Sequence, residues 1–549
     1  MTQPAASSAH RPAGKKWAIP LVALAVLAIA AVGFWLWPRH TGPGLFVYYP
    51  ENTAFFAEIE TSQREAQGIL TLVEREQAKA RALLQQHQSA PSPPPSFLGE
   101  RLTQDFVETF KPQFSIGAWP AAGNVDSRDA KSVRYLIVLP LKSDKTTGEA
   151  LMARIGVHRY TRHRFRNIDY WVEKPGASAS EAPMTLSVVN HALMMTGAPQ
   201  AMEASIAQAL DRKRNVFDNA ALKAGLAKLP APRQGTLITH SAVFAPDRDP
   251  RVRQFNLAMP AIFGAFRTQM DSEIEKDALQ TRLTLDFFAP LKLAQVQSES
   301  LQKQMRQFLA APKNPFRAAR FFPAQTQVMA SVGRLDALSN IIIDHGLSLQ
   351  QKQNLMGAQF VLSMAEIDLR KDLIGLLGGE AAVGGSFLGE QAGQPPSAMA
   401  LLSKTPEKAQ TVQKLLKLAS SGIAPLHRQT EQLGDVTADL FTLPNQSGAV
   451  GLATLQDSMI AIAPAAQLAE AAGVSASKEK SMADAPLYRE LTDNLPKSGI
   501  ALIFADMRNM PDRGDSPVTG FAGVVDSEGE SAAVGRVNLN LSLPAPETP

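Results

Sequence analysis

The chain has 549 residues, which is too long for one compact hydrophobic core and predicts two to four domains. Hydrophobic residues make up 45% of it and charged residues 19%, a composition typical of globular proteins and unlike that of disordered chains. The net charge of +4 argues against a dedicated nucleic-acid-binding protein. The absence of cysteine excludes disulfides, thiolate metal sites and a cysteine nucleophile.

The N-terminal residues predict a membrane anchor. Residues 1–16 are small and polar, with lysine and arginine but no acid, and residues 17–37 form an uncharged apolar run bounded by tryptophans. A helix of this length spans roughly 30 Å, the thickness of the hydrocarbon core of a bilayer. A cleaved signal peptide is the alternative, but its small-residue cleavage site at residues 28–30 would cut the middle of the run. We expect the N-terminus to lie in the cytoplasm and the chain beyond the anchor to lie in the periplasm.

A six-residue motif occurs twice after a short linker, residues 38–44. Residues 48–53 are YYPENT and residues 321–326 are FFPAQT, so each copy is aromatic-aromatic-Pro-x-x-Thr. We call this the aromatic-proline motif. Both copies precede an apolar alternating run, and in the first copy a helical pattern follows at residues 62–88. The repeat predicts two related domains outside the membrane.

Matching strand and helix patterns follow the two motifs in the same order. They predict one domain at residues 45–290 and a second at residues 318–547, separated by a connecting helix and linker at residues 291–317. The two domains differ most before their last strands. The first has a helical insertion at residues 250–276, whereas residues 511–533 of the second are rich in Gly, Ser and Asp and predict a loop.

The sequence contains no catalytic, cofactor-binding or metal-binding motif. It lacks a Gly-x-Ser-x-Gly elbow, a Walker-type loop and a Gly-x-Gly-x-x-Gly turn. The nine histidines are scattered, and the closest pair, His158 and His163, would lie on opposite faces of a strand. We therefore expect a protein without catalytic residues, cofactor or metal.

A group of basic residues is the first candidate site. We call it the arginine cluster, and its members are Arg154, His158, Arg159, Arg162, His163, Arg164 and Arg166. No acidic residue occurs from Ala150 to Ile168. Such a cluster predicts contact with an anionic surface, such as lipid headgroups, lipopolysaccharide phosphates or an acidic partner. The alternative is a solvated loop and strand face beside an anionic membrane.

Apolar residues within the predicted helical insertion are the second candidate site. They are spaced as on one side of a helix, and they are Phe255, Met259, Ile262, Phe263, Phe266 and Met270. This side is either part of the core or a contact with an apolar ligand or membrane. Methionine suits an adaptable pocket but also fills ordinary cores.

The aromatic-proline motif resembles one in a family of bacterial envelope proteins classed only as a domain of unknown function. In that family an N-terminal anchor precedes a repeated region that begins with a strand after a phrase such as "lPadt". Residues 49–53 and 322–326 carry the likeness here, together with the strands around Gly117 and Gly384. The resemblance covers residues 45–547 and implies no activity, since the family brings no catalytic residues.

These patterns together predict an α+β fold in which an N-terminal single transmembrane helix precedes two tandem, related sheet-and-helix domains. We expect a single-pass inner-membrane protein whose bulk is periplasmic and which binds or scaffolds an envelope protein partner without enzymatic activity. The alternative is a protein that binds lipid or another apolar ligand at the membrane surface. Nucleic acid is not an expected partner of an extracytoplasmic domain.

Overall fold

The fold is that of a computed structural model. The structure describes residues 45–60, 106–120, 133–174, 184–211, 215–218, 220–231, 233–240, 258–275, 278–310, 312–347, 349–364, 366–386, 397–420, 427–442, 449–508 and 517–544. The predicted cytoplasmic tail, anchor and linker at residues 1–44 and the helical pattern at residues 62–88 lie outside the described residues. None of the helices within the described residues has both the length and the apolar character needed to cross a bilayer.

The described residues form twenty strands, ten in each half of the chain. The strands of the first half are β1 (Phe55–Glu60), β2 (Gln113–Pro120), β3 (Val133–Pro140), β4 (Tyr160–Phe165), β5 (Ile168–Glu173), β6 (Thr185–Val189), β7 (Ala192–Thr196), β8 (Gly235–His240), β9 (Ala261–Glu275) and β10 (Ala278–Pro290). The strands of the second half are β11 (Val328–Gly333), β12 (Glu380–Ser386), β13 (Ser397–Ser403), β14 (His427–Leu433), β15 (Val436–Thr442), β16 (Ala449–Leu455), β17 (Met459–Pro464), β18 (Ala501–Asp506), β19 (Val518–Glu528) and β20 (Ala532–Pro544).

Helices connect the strands in both halves. Those of the described residues are α1 (Phe106–Thr109), α2 (Gly148–Ile155), α3 (Pro199–Asp211), α4 (Ala220–Leu226), α5 (Glu299–Leu309), α6 (Leu335–Ile341), α7 (Leu349–Ser363), α8 (Pro406–Ser420), α9 (Ala465–Ser475) and α10 (Pro486–Thr492). Helix α5 lies where the sequence predicts the connecting helix.

All twenty strands belong to one antiparallel sheet, and the two halves use the same strand order. Pairing in the first half runs β4-β5-β6-β7-β3-β2-β1-β8-β9-β10. Pairing in the second half runs β14-β15-β16-β17-β13-β12-β11-β18-β19-β20. Strands β10 and β20 then pair with each other over thirteen residue pairs. The halves are therefore related by an approximate two-fold axis through the β10–β20 pair.

The predicted fold class, an α+β chain with a transmembrane helix followed by two tandem sheet-and-helix domains, is wrong. The described strands form one continuous sheet. The predicted anchor at residues 17–37 lies outside the described residues. An alternation of apolar and polar residues predicts a strand but does not identify the strand beside it. Because the last strands of the two halves pair with each other, the two predicted domains are two halves of one sheet.

The predicted helical insertion at residues 250–276 is also wrong, because Ala261–Glu275 is strand β9. Its apolar residues match a helical spacing, but aromatic and β-branched residues favour strands, and short apolar runs do not separate the two. The loop predicted at residues 511–533 is wrong as well, since these residues contain the whole of β19. Gly520 and Gly523 in β19 lie where neighbouring atoms would touch an added Cβ.

Helices cover parts of both faces of the sheet. On one face, α3 and α4 pack over the first half, and α9 and α10 pack over the second half. On the opposite face, α2 packs near β3 and β7, and α8 packs near β13 and β17. The middle of this second face has a smaller apolar cluster, formed by side chains of neighbouring strands on both sides of the β10–β20 pair.

The aromatic-proline motif makes the same contact in both halves. Its second aromatic residue packs on a glycine of the neighbouring strand, so that a Cβ on Gly117 would lie 2.4 Å from Tyr49 Cδ1. A Cβ on Gly384 would lie 2.8 Å from Phe322 Cε1. Both aromatic rings are fully buried. Only glycine leaves room for the ring at this position.

The proline and threonine of the motif close a turn before the first strand of each half. The N–H of Thr53 donates to the carbonyl oxygen of Pro50 at 3.0 Å, and the N–H of Thr326 donates to that of Pro323 at 3.0 Å. Both threonines are buried. The same turn therefore leads into β1 and β11.

A glutamate carboxylate holds the segment that precedes each motif. In the first half Glu58 accepts a hydrogen bond from the N–H of Leu45 at 2.9 Å, and burial raises the pKa of Glu58. In the second half Glu380 accepts from the N–H groups of Arg317 and Ala318 at 3.0 and 2.9 Å. Glu58 lies on β1 and Glu380 on β12, so the same interaction comes from different strands.

Replacing the motif's glycine tests the aromatic contact. We expect Gly384→Ala to lower the free energy of unfolding by about 1–3 kcal/mol, because the added methyl would overlap Phe322 and the carbonyl oxygen of Val328. Gly357→Ala in α7 is the matched control, since no atom lies within 4 Å of a Cβ there and alanine favours a helix. Urea unfolding followed by circular dichroism measures both variants. Equal stability of the two would show that the contact is not a constraint.

Candidate functional site

The arginine cluster lies along one edge of the sheet. Strand β4 pairs only with β5 among the described strands, and most of its side chains are exposed. Arg162, His163 and Arg164 lie on β4 itself. The other members flank it: Arg154 in the last turn of α2, His158 and Arg159 before β4, and Arg166 in the β4–β5 turn.

Acidic side chains from neighbouring elements pair with four of these arginines. The pairs are Arg159–Glu173 at 3.0 Å, Arg162–Glu149 at 2.7 Å, Arg164–Asp169 at 2.8 Å and Arg166–Asp211 at 2.5 Å. The acids lie outside the acid-free segment of the sequence, so the cluster carries less unmatched charge than the sequence indicates. Its contact with an anionic surface stays a prediction.

Asp169 on β5 is central to this edge. Arg162 and Arg164 donate hydrogen bonds to its two oxygens, and these bonds lower the pKa of Asp169 from 3.8 to about 2. The second half has a similar arrangement, since Asp439 on β15 accepts from Arg428 on the outer strand β14 at 2.9 Å. One aspartate therefore holds the outer strand at each end of the sheet.

The structure does not bring the second candidate set together on one side. Phe263 is buried on the face that α4 covers, and Phe266 is buried on the opposite face. Ile262 is half-buried on β9, and Met259 is half-buried just before it. Phe255 and the side chain of Met270 lie outside the described parts.

The face opposite α4 and α10 carries a broad uncharged, mostly apolar area that no single stretch of sequence reveals. Phe266, Leu283 and Ala505 within it are buried. One row of cross-strand partners crosses seven strands, from Val383 through Ala330, Ile503, Gly523, Val537 and Leu285 to Phe266. The rows on either side contain Val328, Ala505, Phe521, Leu539 and Leu283, and Val332, Ala501, Val525, Gly535 and Phe287. We call these three rows the apolar sheet face. Val383 and Ile503 are 54% and 44% exposed.

Helix α7 has a further exposed apolar side. Leu349, Met356 and Phe360 lie on one side of it, Met364 follows directly, and all four are between 65% and 75% exposed. Leu355, on a different side, is half-buried. A helix with apolar side chains on two sides usually packs against other groups on both of those sides.

A cleft at the edge of the second half is lined by basic and hydroxyl side chains. It encloses about 440 Å³ among the segment before the second motif, the end of β11, the start of β12, the end of β13 and the β16–β17 turn. We call it the Arg334 cleft, and its polar side chains include Lys313, Arg317, Arg334, Ser403 and Ser458. Arg334 also lines a neighbouring cavity of about 570 Å³ beside α5 and α6.

The backbone at Arg334 is strained. Its φ of 59° lies in the left-handed region, which is unfavourable for arginine. The N–H of Arg334 donates to the carbonyl oxygen of Gly379 at 2.8 Å, and its Nε lies 3.3 Å from Asp336 Oδ1. Gly379 has a φ of 69°, so the turns after β11 and before β12 hold each other in place.

A buried lysine supports the floor of the cleft. Lys408 Nζ donates to the carbonyl oxygens of Gly378 and Ser403 and to Ser403 Oγ, the last two at 2.8 and 3.0 Å. Burial lowers the pKa of Lys408 from 10.5 to about 8. The equivalent position in α2 is Ala150, since a threonine hydroxyl accepts from the backbone N–H of both residues. The lysine therefore belongs to the second half alone.

The sequence gives little sign of this cleft, because its residues come from five separate places in the chain. The glycine pair at residues 378–379 is the one local sequence feature that points to the cleft, which Gly379 lines. Within the residues that the structure describes, no group of three or more His, Asp and Glu side chains could hold a metal ion.

The aspartate at the sheet edge gives a pH prediction. Because the pKa of Asp169 is lowered to about 2, it contributes stability above pH 3.8 and loses it as the pH falls through about 2. We expect hydrogen exchange to show falling protection of the β4–β5 hairpin over this range. Asp169→Asn should already show low protection at about pH 4. The β14–β15 hairpin of the same variant is the control, and equal protection of β4–β5 in both proteins would contradict the prediction.

Comparison with known proteins identifies a family. The model of DUF3352, described as a protein of unknown function, matches residues 135–525, from β3 in the first half to β19 in the second. Searches of curated proteins and of solved structures found no match. The expected likeness to an uncharacterised family is confirmed at this level. Since the match covers more than half of the chain, the protein belongs to the DUF3352 family.

Proposed function

We propose that this protein is a membrane-anchored binding or scaffolding protein of the bacterial envelope, and that it holds a protein partner on its apolar sheet face. The observation that carries the proposal is the absence of charge from all three rows of that face, which extends over five strands of the second half and over β10 and β9 of the first. Large apolar patches with exposed side chains are typical of interaction surfaces. The anchor predicted at residues 17–37 would keep this surface beside the inner membrane.

A sheet suits such a role because its backbone is held by hydrogen bonds over its whole width. The face therefore needs little ordering when a partner binds, and less free energy is lost on association. The lack of a catalytic motif in the sequence supports a protein that binds rather than reacts.

We also propose that the two halves arose by duplication of one domain that begins at the aromatic-proline motif. The shared strand order supports this, as do the contacts of Tyr49 with Gly117 and of Phe322 with Gly384. The halves share the contacts that hold the fold. They differ at Lys408, where the first half has Ala150, so a specific role is expected in the second half.

Photo-crosslinking from single cysteines tests the proposed contact surface. Because the chain has no cysteine, Val383→Cys and Val450→Cys each give one labelling site, and the two valines are 54% and 51% exposed. Val450 lies on β16, outside the apolar sheet face. With the full chain in native membranes, we expect a photoactivatable label at residue 383, but not at residue 450, to capture a discrete protein.

A charge introduced into the apolar sheet face gives a complementary test, because it should weaken partner binding. Ile503→Asp places a carboxylate in the middle row, and we expect it to reduce capture from residue 383 at least about tenfold, because burying that charge would cost more than 1.4 kcal/mol. Equal capture from residues 383 and 450, or capture unchanged by Ile503→Asp, would show that this face is not the contact surface.

Lipid binding at the membrane surface is the second candidate function, and α7 is the observation that favours it. From His345 to Ala365 the chain has no acidic residue, while four large apolar side chains are exposed along α7 and directly after it. An acid-free helix with such a side suits the interface of an anionic bilayer.

Fluorescence quenching separates this candidate from the first. With the full chain in liposomes, a fluorophore on Met356→Cys should be quenched several-fold more by a lipid-attached quencher than one on Asn354→Cys, on another side of α7. Equal quenching at residues 354 and 356 would exclude lipid contact of this helix.

A further inference from the structure

We propose that the Arg334 cleft binds a small organic anion, a carboxylate or a phosphate monoester with a compact apolar body, through the guanidinium groups of Arg317 and Arg334. This goes beyond the proposed scaffolding role. It uses residues at the edge of the sheet that are not part of the apolar sheet face.

Within the described parts of the chain, the acidic groups around the cleft are all engaged, whereas one of its basic groups is not. The carboxylate of Glu380 is occupied by two backbone N–H groups and by the hydroxyl of Ser331 at 2.9 Å. Asp526 pairs with Lys313, and Asp336 pairs with Arg334. These acids are therefore poor ligands for a cation.

Arg317 supplies the free donor. Its backbone N–H bonds to Glu380, but among the described residues its exposed guanidinium makes no hydrogen bond or ion pair. A guanidinium presents a planar set of N–H donors that fits carboxylate and phosphate oxygens in pairs. Arg334 offers further N–H donors on a neighbouring wall. The hydroxyls of Ser403 and Ser458 instead donate to the carbonyl oxygens of Gly378 and Leu455, at 3.3 and 3.4 Å.

The walls and size of the cleft limit the ligand. Pro312, Pro315 and Met459 line it beside the polar groups, so one part of the ligand is apolar. A cavity of about 440 Å³ lies near the low end of the range for small-molecule sites. The ligand therefore has one anionic group and about one ring or short chain.

The position of Arg334 agrees with a binding role. A left-handed backbone at a non-glycine residue is unfavourable and persists only where surrounding contacts impose it. Here Gly379 and the first turn of α6 fix the backbone of Arg334, which leaves its side chain between two cavities. The guanidinium is thus placed before any ligand arrives.

Calorimetry on the full chain in lipid nanodiscs tests the site with three soluble probes. Phenyl phosphate and benzoate carry an anion on one ring, and benzylamine carries a cation on the same ring. We expect either or both anions to bind and benzylamine not to bind. Phenyl phosphate alone would identify a phosphate site, and benzoate alone a carboxylate site.

Two variants of Arg317 locate the bound anion, and a variant of Arg320 is the control. We expect Arg317→Ala to weaken binding about tenfold, the loss typical of one charge-assisted contact, and Arg317→Lys to recover part of it. Arg320→Ala is the matched control, because Arg320 is exposed in the same short helical turn but does not line the cleft. It should bind as the unchanged protein does.

Three results would overturn the proposal. They are the absence of binding by both anions, binding of benzylamine equal to that of the anions, and equal weakening by Arg317→Ala and Arg320→Ala. Circular dichroism of each variant separates loss of the site from loss of the fold. None of these results bears on the scaffolding role, which crosslinking at residue 383 tests separately.

Discussion

The pairing of β10 with β20 is the interaction on which the rest of the sheet depends. Its thirteen residue pairs bring the two halves edge to edge, and either strand alone would expose a long row of N–H and C=O groups. One side of the pair is polar, with Thr284 donating to Asn538 at 2.9 Å and Arg536 to Asp286 at 2.6 Å. Asn538 also donates to the carbonyl oxygen of Leu491 at 2.6 Å, which ties the pair to α10. The other side is apolar and continues the apolar sheet face across both halves.

The two halves make the same contacts even where the residues that make them differ. The ring of Tyr49 or Phe322 always meets a glycine, but the carboxylate beneath the preceding segment comes from β1 in one half and from β12 in the other. Glu58 and Glu380 reach equivalent backbone N–H groups from neighbouring strand positions. What the two halves share is therefore an arrangement of donors and acceptors, while the charged residues of the Arg334 cleft occur in the second half.

Sequence patterns predict where strands lie better than they predict which strands pair with each other. Alternating apolar runs correctly predict strands such as β1 and β11. The sequence also places Gly117 and Gly384 on strands, where the structure has them. Strand β9 was mistaken for a helix because its apolar residues fit both periods. The single sheet could not be predicted, since the partner of β10 lies more than two hundred residues away in the chain. For the same reason neither the apolar sheet face nor the Arg334 cleft follows from any continuous stretch of sequence.

The two outer strands determine how the sheet ends. Among the described strands, β4 and β14 each pair along one side only, and a sheet of this width with bare apolar edges would recruit further chains. Arg162 and Arg428 instead stand on these strands, each bonded to an aspartate of the next strand. A chain that added a strand here would have to strip water from those ion pairs. We therefore expect these ion pairs to oppose edge-to-edge association of the sheet, whether or not the arginine cluster binds a ligand.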